Sequence, residues 1–211
     1  MRYGMAIDLK RCMGCQTCMT SCRTANNLPT GNWWNRVITD GGESLDSPDG
    51  EYPNCTLQHY PVTCQHCENA PCVEVCPTGA TMKDEETGIV TVDAETCIGC
   101  KTCMQACPYE VRVYNDGEPK YAMEFAVGFA DAPQHVSNTV EKCTMCSNLI
   151  ARGEKPMCVQ ACVGYARFFG DLDDPNSEVS KLIGSVKTER LFEEFGTEPQ
   201  IYYIPDLGGK A

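Results

Sequence analysis

The stretch CIGCKTCMQACP, residues 97–108, places four cysteines within eleven residues and ends on a proline. Thiols this dense must be joined in disulfides, bound to metal, or held apart at electrostatic cost. Disulfides fit poorly. Cysteines two or three residues apart do not reach the Cα geometry of a relaxed bridge, and the chain's total of 17 is odd. All but one fall into groups of four: Cys12, Cys15, Cys18, Cys22; Cys64, Cys67, Cys72, Cys76; Cys97, Cys100, Cys103, Cys107; and Cys143, Cys146, Cys158, Cys162. Only Cys55 stands outside. A count in fours is a metal count.

Spacing separates zinc from iron–sulfur. A structural zinc site usually joins two short knuckles across a longer insert. Groups one and three instead read C-x2-C-x2-C-x3-C, the run of bacterial ferredoxins, with Pro108 closing the third. Three thiolates spaced by two residues curl round one face of a cubane, and Gly14 and Gly99 let backbone N–H groups approach it. The fourth cysteine lies on the helix that follows, and in two-cluster ferredoxins it ligates the other cluster. Cys97, Cys100 and Cys103 are therefore expected to share a centre, with Cys107 serving a neighbour. Group two widens the motif to C-x2-C-x4-C-x3-C before Pro77. Group four carries eleven residues between Cys146 and Cys158, an insert that a zinc site would also show. The final C-x3-C common to all four groups favours four [4Fe–4S] clusters.

An internal repeat supports that count. DLKRCMGCQTCMTSC (8–22) aligns without gaps on DAETCIGCKTCMQAC (93–107), sharing the aspartate, all four cysteines, and a Gly, Thr and Met. Each copy follows a short apolar run and precedes a helix-forming stretch, so the fold class is α+β with duplicated ferredoxin-like units. VRVY (111–114), ARFF (166–169) and IYYI (201–204) read as further strands. Near the end, Asp174 and Pro175 read as N-cap and first turn of a helix through SEVSKLIG, and TERLFEEFG as a second helix closed by Gly196. Residues 40–54 are an acidic surface excursion, whereas YAMEFAVGFA (121–130) is ambiguous.

The formal charge is −12, and four oxidised cubanes with their thiolates carry it to about −20. Nucleic-acid binding is disfavoured. No run approaches the roughly 18 apolar residues of a membrane span, and MRYGMAIDLKRC shows neither an apolar signal core nor twin arginines. Neither membrane insertion nor an export signal of the chain's own is expected. There is no dinucleotide fingerprint, no nucleophile–base pairing and no open metal position, so the chain reads as a non-catalytic electron carrier.

Taken together, CQHCENAPCVEVCPTGA, CIGCKTCMQACPY, the EKCTMC and CVQAC blocks and the trailing GDLDDPNSEVSKLI resemble the four-cluster iron–sulfur subunit of the DMSO reductase superfamily of molybdenum enzymes. The resemblance covers nearly the whole chain. It implies two intertwined ferredoxin-like modules with loop insertions and a C-terminal helical extension. The outer module would be 1–54 plus 140–211, and the inserted inner one 55–139. It further implies the ligand sets Cys12, Cys15, Cys18 with Cys162; Cys143, Cys146, Cys158 with Cys22; Cys64, Cys67, Cys72 with Cys107; and Cys97, Cys100, Cys103 with Cys76. Relatives lacking the second cysteine of group three hold a three-iron cluster there; Cys100 is present, so four cubanes are expected. The implied partners are a molybdopterin catalytic subunit, nearer the outer pair, and a quinone-reactive membrane anchor or soluble redox carrier on the side of the inner pair. Export on a signal carried by the catalytic partner would place the complex on the extracytoplasmic face; the alternative is a cytoplasmic complex. Arg23 and Val163 depart from the proline that a ferredoxin pattern puts after the last cysteine of a group.

Two other classes of function compete: a free-standing polyferredoxin, disfavoured by the long segments without cysteines, and a zinc-stabilised interaction module. Among the remaining residues, Cys55 reads as a free, partly buried thiol, and His66 as a hydrogen-bond donor near a cluster. His59 and His135 read as ordinary loop histidines. Trp33 and Trp34 suit packing over a cluster or at an interface, and Lys101 offsets cluster charge or is simply solvated.

Overall fold

The computed structural model describes residues 1–42 and 47–206. It is a mixture of short strands and short helices, as the α+β expectation required. The first part of the chain runs β1 (Tyr3–Asp8), α1 (Thr17–Ala25), β2 (Asn35–Thr39), β3 (His59–Thr63), α2 (Pro71–Glu74), β4 (Thr81–Lys83) and β5 (Val90–Val92). There follow α3 (Thr102–Gln105), β6 (Val113–Tyr114), β7 (Val140–Glu141), α4 (Ser147–Ala151) and α5 (Met157–Gln160). β8 (Arg167–Asp171), α6 (Glu178–Ser185), a 3₁₀ turn (Glu193–Phe195) and β9 (Ile201–Ile204) complete it.

The N-terminal strand is the centre of the largest sheet. β8 pairs with β1 antiparallel, Met5 opposite Phe169, and β9 pairs with it parallel, Met5 opposite Ile201. Both partners arrive from the far end of the chain. The remaining strands form antiparallel pairs, β2 with β3, β4 with β5 and β6 with β7. Met5, Ile7, Phe169, Ile201 and Tyr203 build one apolar core beside this sheet. Tyr203 is fully buried, and its hydroxyl donates to the Pro61 carbonyl at 3.0 Å. A second core joins distant segments: Cys22, Leu28 and Trp34 pack with Val62, Cys64, Tyr109, Val111 and Cys143.

IYYI forms β9 as expected, ARFF begins β8 one residue late, and VRVY contributes only Val113–Tyr114. The C-terminal extension is corrected in two respects. Ser177, not Asp174, caps α6, accepting the Ser180 N–H at 3.1 Å. Asp174 instead accepts the Asn176 N–H in a local turn. TERLFEEFG forms a single 3₁₀ turn, because Glu189 and Tyr203 exchange backbone hydrogen bonds of 2.8 and 2.7 Å that hold the chain extended there. Gly196 does close that turn in the left-handed region. Residues 121–130 form neither helix nor strand; Met123, Phe125 and Val127 face solvent, and Phe129 N–H and Val127 N–H tie the segment to the end of α1.

One backbone device recurs in all four cysteine groups. The residue before the second cysteine has positive φ: 66° at Gly14, 44° at His66, 66° at Gly99 and 56° at Met145. The third cysteine is then the second residue of a helix each time, Cys18 in α1, Cys72 in α2, Cys103 in α3 and Cys158 in α5. Glycine adopts this conformation freely; His66 and Met145 hold it at a cost of about 1–2 kcal/mol. At Gly14 and Gly99 space also demands glycine. A Cβ at Gly99 would lie 2.1 Å from the Asn138 carbonyl oxygen, and one at Gly14 2.3 Å from the His59 ring.

His135 is in a loop but is not an ordinary loop residue. It is buried, with Nδ1 2.6 Å from Glu141 Oε2 and Nε2 3.0 Å from the Asn26 carbonyl. Two acceptors around one ring require both nitrogens to be protonated. Glu141 also accepts from Asn32, Trp34 and Asn115, so residues from four segments meet at one carboxylate. Burial opposes charge on both partners, yet the pairing wins: His135 is raised and Glu141 lowered from their usual values.

Removing His135 takes the cation from a half-buried carboxylate that keeps Asn32, Trp34 and Asn115 as donors, so His135→Leu should destabilise the holoprotein by about 1.5–3 kcal/mol, read as a lower midpoint for denaturant unfolding. The wild-type contribution should be complete only between the unfolded-state values of glutamate and histidine. It should fade as pH rises through the raised value of His135, and again as pH falls through the lowered value of Glu141. An unfolding midpoint difference between wild type and variant that is flat with pH would contradict this. Gly99→Ala should lower the iron content of anaerobically purified protein, whereas Gly184→Ala in α6, where a Cβ meets nothing within 4 Å, should be neutral or stabilise by about 0.5–1 kcal/mol.

Candidate metal centres

None of the 17 cysteines is in a disulfide. They gather across groups. One cavity is lined by Cys12, Cys15 and Cys18 of group one together with Cys162 of group four. Another is lined by Cys64, Cys67 and Cys72 of group two together with Cys107 of group three. Electrostatics indicates the same neighbours elsewhere. Burial, then the proximity of Cys143, Cys158 and Cys146, push the Cys22 thiol well up. Cys100 lies close enough to Cys76 to feel its charge.

The local chain explains the exchange. Cys76, Cys107 and Cys162 each sit two residues beyond the end of a four-residue helix, and Cys22 lies within the longer α1. The helix carries the last thiol away from its own loop and toward the facing group. α1 packs on α5, and α2 on α3, which places each fourth cysteine beside the other group's first three.

A thiol-lined cavity fits a four-iron cluster, in which each iron takes one thiolate. Zinc would need its ligands drawn to one point; among the described residues, no group of three or more His, Cys, Asp or Glu is placed to hold a single ion. Backbone N–H groups also reach sulfur: Met145 to Cys143 at 3.3 Å, Thr81 to Cys76 at 3.3 Å and Ala166 to Cys162 at 3.2 Å. Asn26 Nδ2 donates to Cys22 Sγ at 3.6 Å. Such donors favour the thiolate over the thiol.

Buried cations complete the electrostatics. The Arg167 guanidinium donates to Cys158 Sγ at 3.6 Å and to Asn35 Oδ1 at 3.3 Å. Arg112 lines the Cys64 cavity and donates to Thr81 Oγ1 at 3.3 Å. Lys142 donates from Nζ to the carbonyls of Cys143 (2.9 Å) and Val90. His66 accepts the Val90 N–H on Nδ1 at 3.1 Å, which leaves its proton on Nε2. That atom is buried without an oxygen or nitrogen partner, and the thiols facing it are Cys64 and Cys143. Burial pushes Cys64 up, but His66 and Lys142 beside it bring it well below the usual thiol value. Cys67, next to Cys64 but without such a partner, is pushed up to about 12, first by burial.

His66 therefore turns Nε2 toward sulfur of two groups, among the described residues without a hydrogen bond from that atom. The sequence reading missed Arg112, Lys142 and Arg167 entirely; a cation inside the apolar runs VRVY and ARFF was the available signal. His59 is in strand β3, not a loop, and packs against Gly14. Cys55 is exposed and not partly buried. Trp34 is buried and donates to Glu141, while Trp33 is partly exposed beneath the Arg23 guanidinium, 4.8 Å from its ring centre. Lys101 lies 3.6 Å over the Tyr114 ring. No helix among the described residues is long and apolar enough to cross a membrane.

Comparison with known proteins points to iron–sulfur clusters as well. The 4Fe–4S dicluster domain family matches residues 55–124 and 130–172. A protein of Halobacterium salinarum, proposed to be the iron–sulfur subunit of a dimethyl sulfoxide reductase, is 48% identical over 96% of this chain and 78% of its own length. The protein NrfC of Escherichia coli is 40% identical over 100% of this chain and 83% of its own. The iron–sulfur subunit ArrB of the arsenate respiratory reductase of a Shewanella species is 37% identical over 100% of this chain and 99% of its own. With four thiol groups, two crossed cavities and this kinship, the chain belongs to the 4Fe–4S dicluster family, among the iron–sulfur electron-transfer subunits of the molybdopterin oxidoreductases.

Proposed function

We propose that the chain is a four-cluster electron relay made of two intertwined ferredoxin-like modules, an outer one of residues 1–54 plus 140–211 and an inserted inner one of 55–139. The ligand sets are Cys12, Cys15, Cys18, Cys162; Cys22, Cys143, Cys146, Cys158; Cys64, Cys67, Cys72, Cys107; and Cys76, Cys97, Cys100, Cys103. The observation that carries this reading is the pair of cavities, each lined by three cysteines of one group and the last cysteine of another. Each [4Fe–4S] cluster, when bound, accepts and releases one electron; the chain's residues hold, insulate and order the sites.

Burial supports a linear order. All four cysteines of the Cys22 set are buried, and three of the Cys64 set, so these lie in the middle. Cys15 and Cys100 are exposed, which puts their sets at the two ends. Exposed apolar side chains rim both ends, Met13, Val163 and Tyr165 at one and Ile98 and Val75 at the other. Such rims suit protein docking, because desolvating them is favourable and excludes water from the electron path. We assign the molybdopterin catalytic subunit to the Cys15 end, and a membrane-anchored quinone-reactive subunit or a soluble carrier to the Cys100 end. The compartment follows the partner: a signal-bearing catalytic subunit takes the complex to the extracytoplasmic face, and one without a signal leaves it in the cytoplasm.

Anaerobically purified protein should contain about sixteen iron and sixteen sulfide per chain; stoichiometric zinc, or half that iron, would sink the assignment. Complete iron removal should abolish cooperative unfolding, since the unfolded chain offers no preformed site and closely spaced thiolates repel. A sharp thermal transition in the apo-protein would count against it. Cys107→Ser should alter only the centre of Cys64, Cys67 and Cys72, as a shifted potential or conversion to a three-iron species. An experimental structure with Cys97, Cys100, Cys103 and Cys107 on one cluster would refute the exchange. Purification from the native host should yield a molybdenum-containing larger chain; a cluster-loaded protein that always purifies alone would favour a free carrier.

A further inference from the structure

Two arginines in the interior occupy equivalent places between cysteine sets. Arg167 touches Cys158 of one outer set through Nη1, at 3.6 Å, and lines the cavity of the other, with Cys12, Cys18 and Cys162. Its second nitrogen is fixed by Asn35, whose own Nδ2 donates to the Cys18 carbonyl at 3.3 Å. Arg112 lines the cavity of Cys64, Cys67, Cys72 and Cys107, and also faces Cys103 of the last set. Among the described residues its Nη2 is buried with no hydrogen-bond partner. Both side chains lie almost wholly inside the protein. A guanidinium keeps its charge at any accessible pH, and among the described residues neither arginine has a carboxylate beside it. A buried charge with no carboxylate to offset it is costly. What surrounds each one is cysteine sulfur from two different sets.

We propose that Arg167 and Arg112 are positioning residues for the relay, each a fixed positive charge between two successive clusters that raises the reduction potential of both. The inference rests on the crossed ligand sets above. Reduction adds negative charge to a site that is already anionic, and a nearby cation favours the reduced form. A charge placed between two centres moves both in the same direction, so it eases reduction while leaving the difference between them, and hence the direction of the hop, little changed. A single-site cation would open a gap instead. At the middle junction Lys142, held on two carbonyls, occupies the corresponding place between Cys143 and Cys64.

The test is a redox titration of the cluster-loaded protein followed by electron paramagnetic resonance, with Cys162→Ser and Cys76→Ser marking the two end centres. Arg167→Gln should retain about sixteen iron and shift two centres toward the oxidised form about tenfold, about 59 mV for one electron. Arg112→Gln should shift the other two, so that the two variants share no affected centre. Arg167→Lys and Arg112→Lys keep the charge and should restore near-wild-type potentials. If a glutamine variant loses iron, its lysine counterpart carries the test: full iron with both flanking centres lowered would show that charge is not the agent. A shift confined to one centre, or spread evenly over all four, would overturn the proposal. Unshifted potentials with the Cys107→Ser result intact would defeat this inference alone, whereas two arginine variants sharing an affected centre would defeat the ligand sets beneath it.

Discussion

A thiolate taken out of water costs several kcal/mol unless a positive group meets it, and the proposed ligand sets gather sixteen of them within a protein whose formal charge is already −12. Much of the interior answers that constraint. Metal supplies the largest share, backbone N–H groups of the cluster loops add hydrogen bonds to sulfur, and Arg167, Arg112, Lys142 and His66 bring protons and charge where two sets approach. The magnitudes explain why strained positions survive. Holding His66 in the left-handed region costs about 1–2 kcal/mol, while a hydrogen bond to a charged partner returns about 1.5–3 kcal/mol. At His66 the strained turn aims Nε2 between Cys64 and Cys143. Met145, equally strained, instead turns its N–H onto Cys143.

The second constraint is topological. α2, α3 and α5 each end just before a cysteine that the proposed ligand sets give to a different loop, α1 carries Cys22 within it, and these helices pack in pairs, α1 on α5 and α2 on α3. Packing and ligation therefore select the same arrangement. The core around Leu28, Trp34, Val62 and Val111 draws on segments from both sides of the proposed module boundary, and the His135–Glu141 network draws on four. Neither region would be complete if the inner segment were removed.

Much of this was legible in the residues because cluster binding fixes spacing so tightly. The gapless match of 8–22 on 93–107 corresponds to a shared backbone, down to φ values of 60° and 64° at Gln16 and Lys101. Groups two and four adopt the same turn with His66 and Met145, for which no local preference exists; there the requirement comes from the thiols around the loop. Strand IYYI was readable from its β-branched and aromatic residues. The cap of α6 and the fate of TERLFEEFG were not, since Ser177 competes with Asp174 on equal chemical terms and the Glu189–Tyr203 bridge joins residues only folding brings together. The buried cations escaped notice for a related reason: a lone arginine in a strand-like run is usually solvated, and only the arrival of sulfur from another segment gives it a partner.

The position of β1 has a consequence for biosynthesis. Its neighbours are residues 167–171 and 201–204, so this strand waits for segments made far later. Cys22 waits for Cys143 in the same way, whereas the thiols from Cys64 to Cys107 lie in one continuous stretch. Iron loading should accordingly begin at the middle of the sequence and finish at its ends.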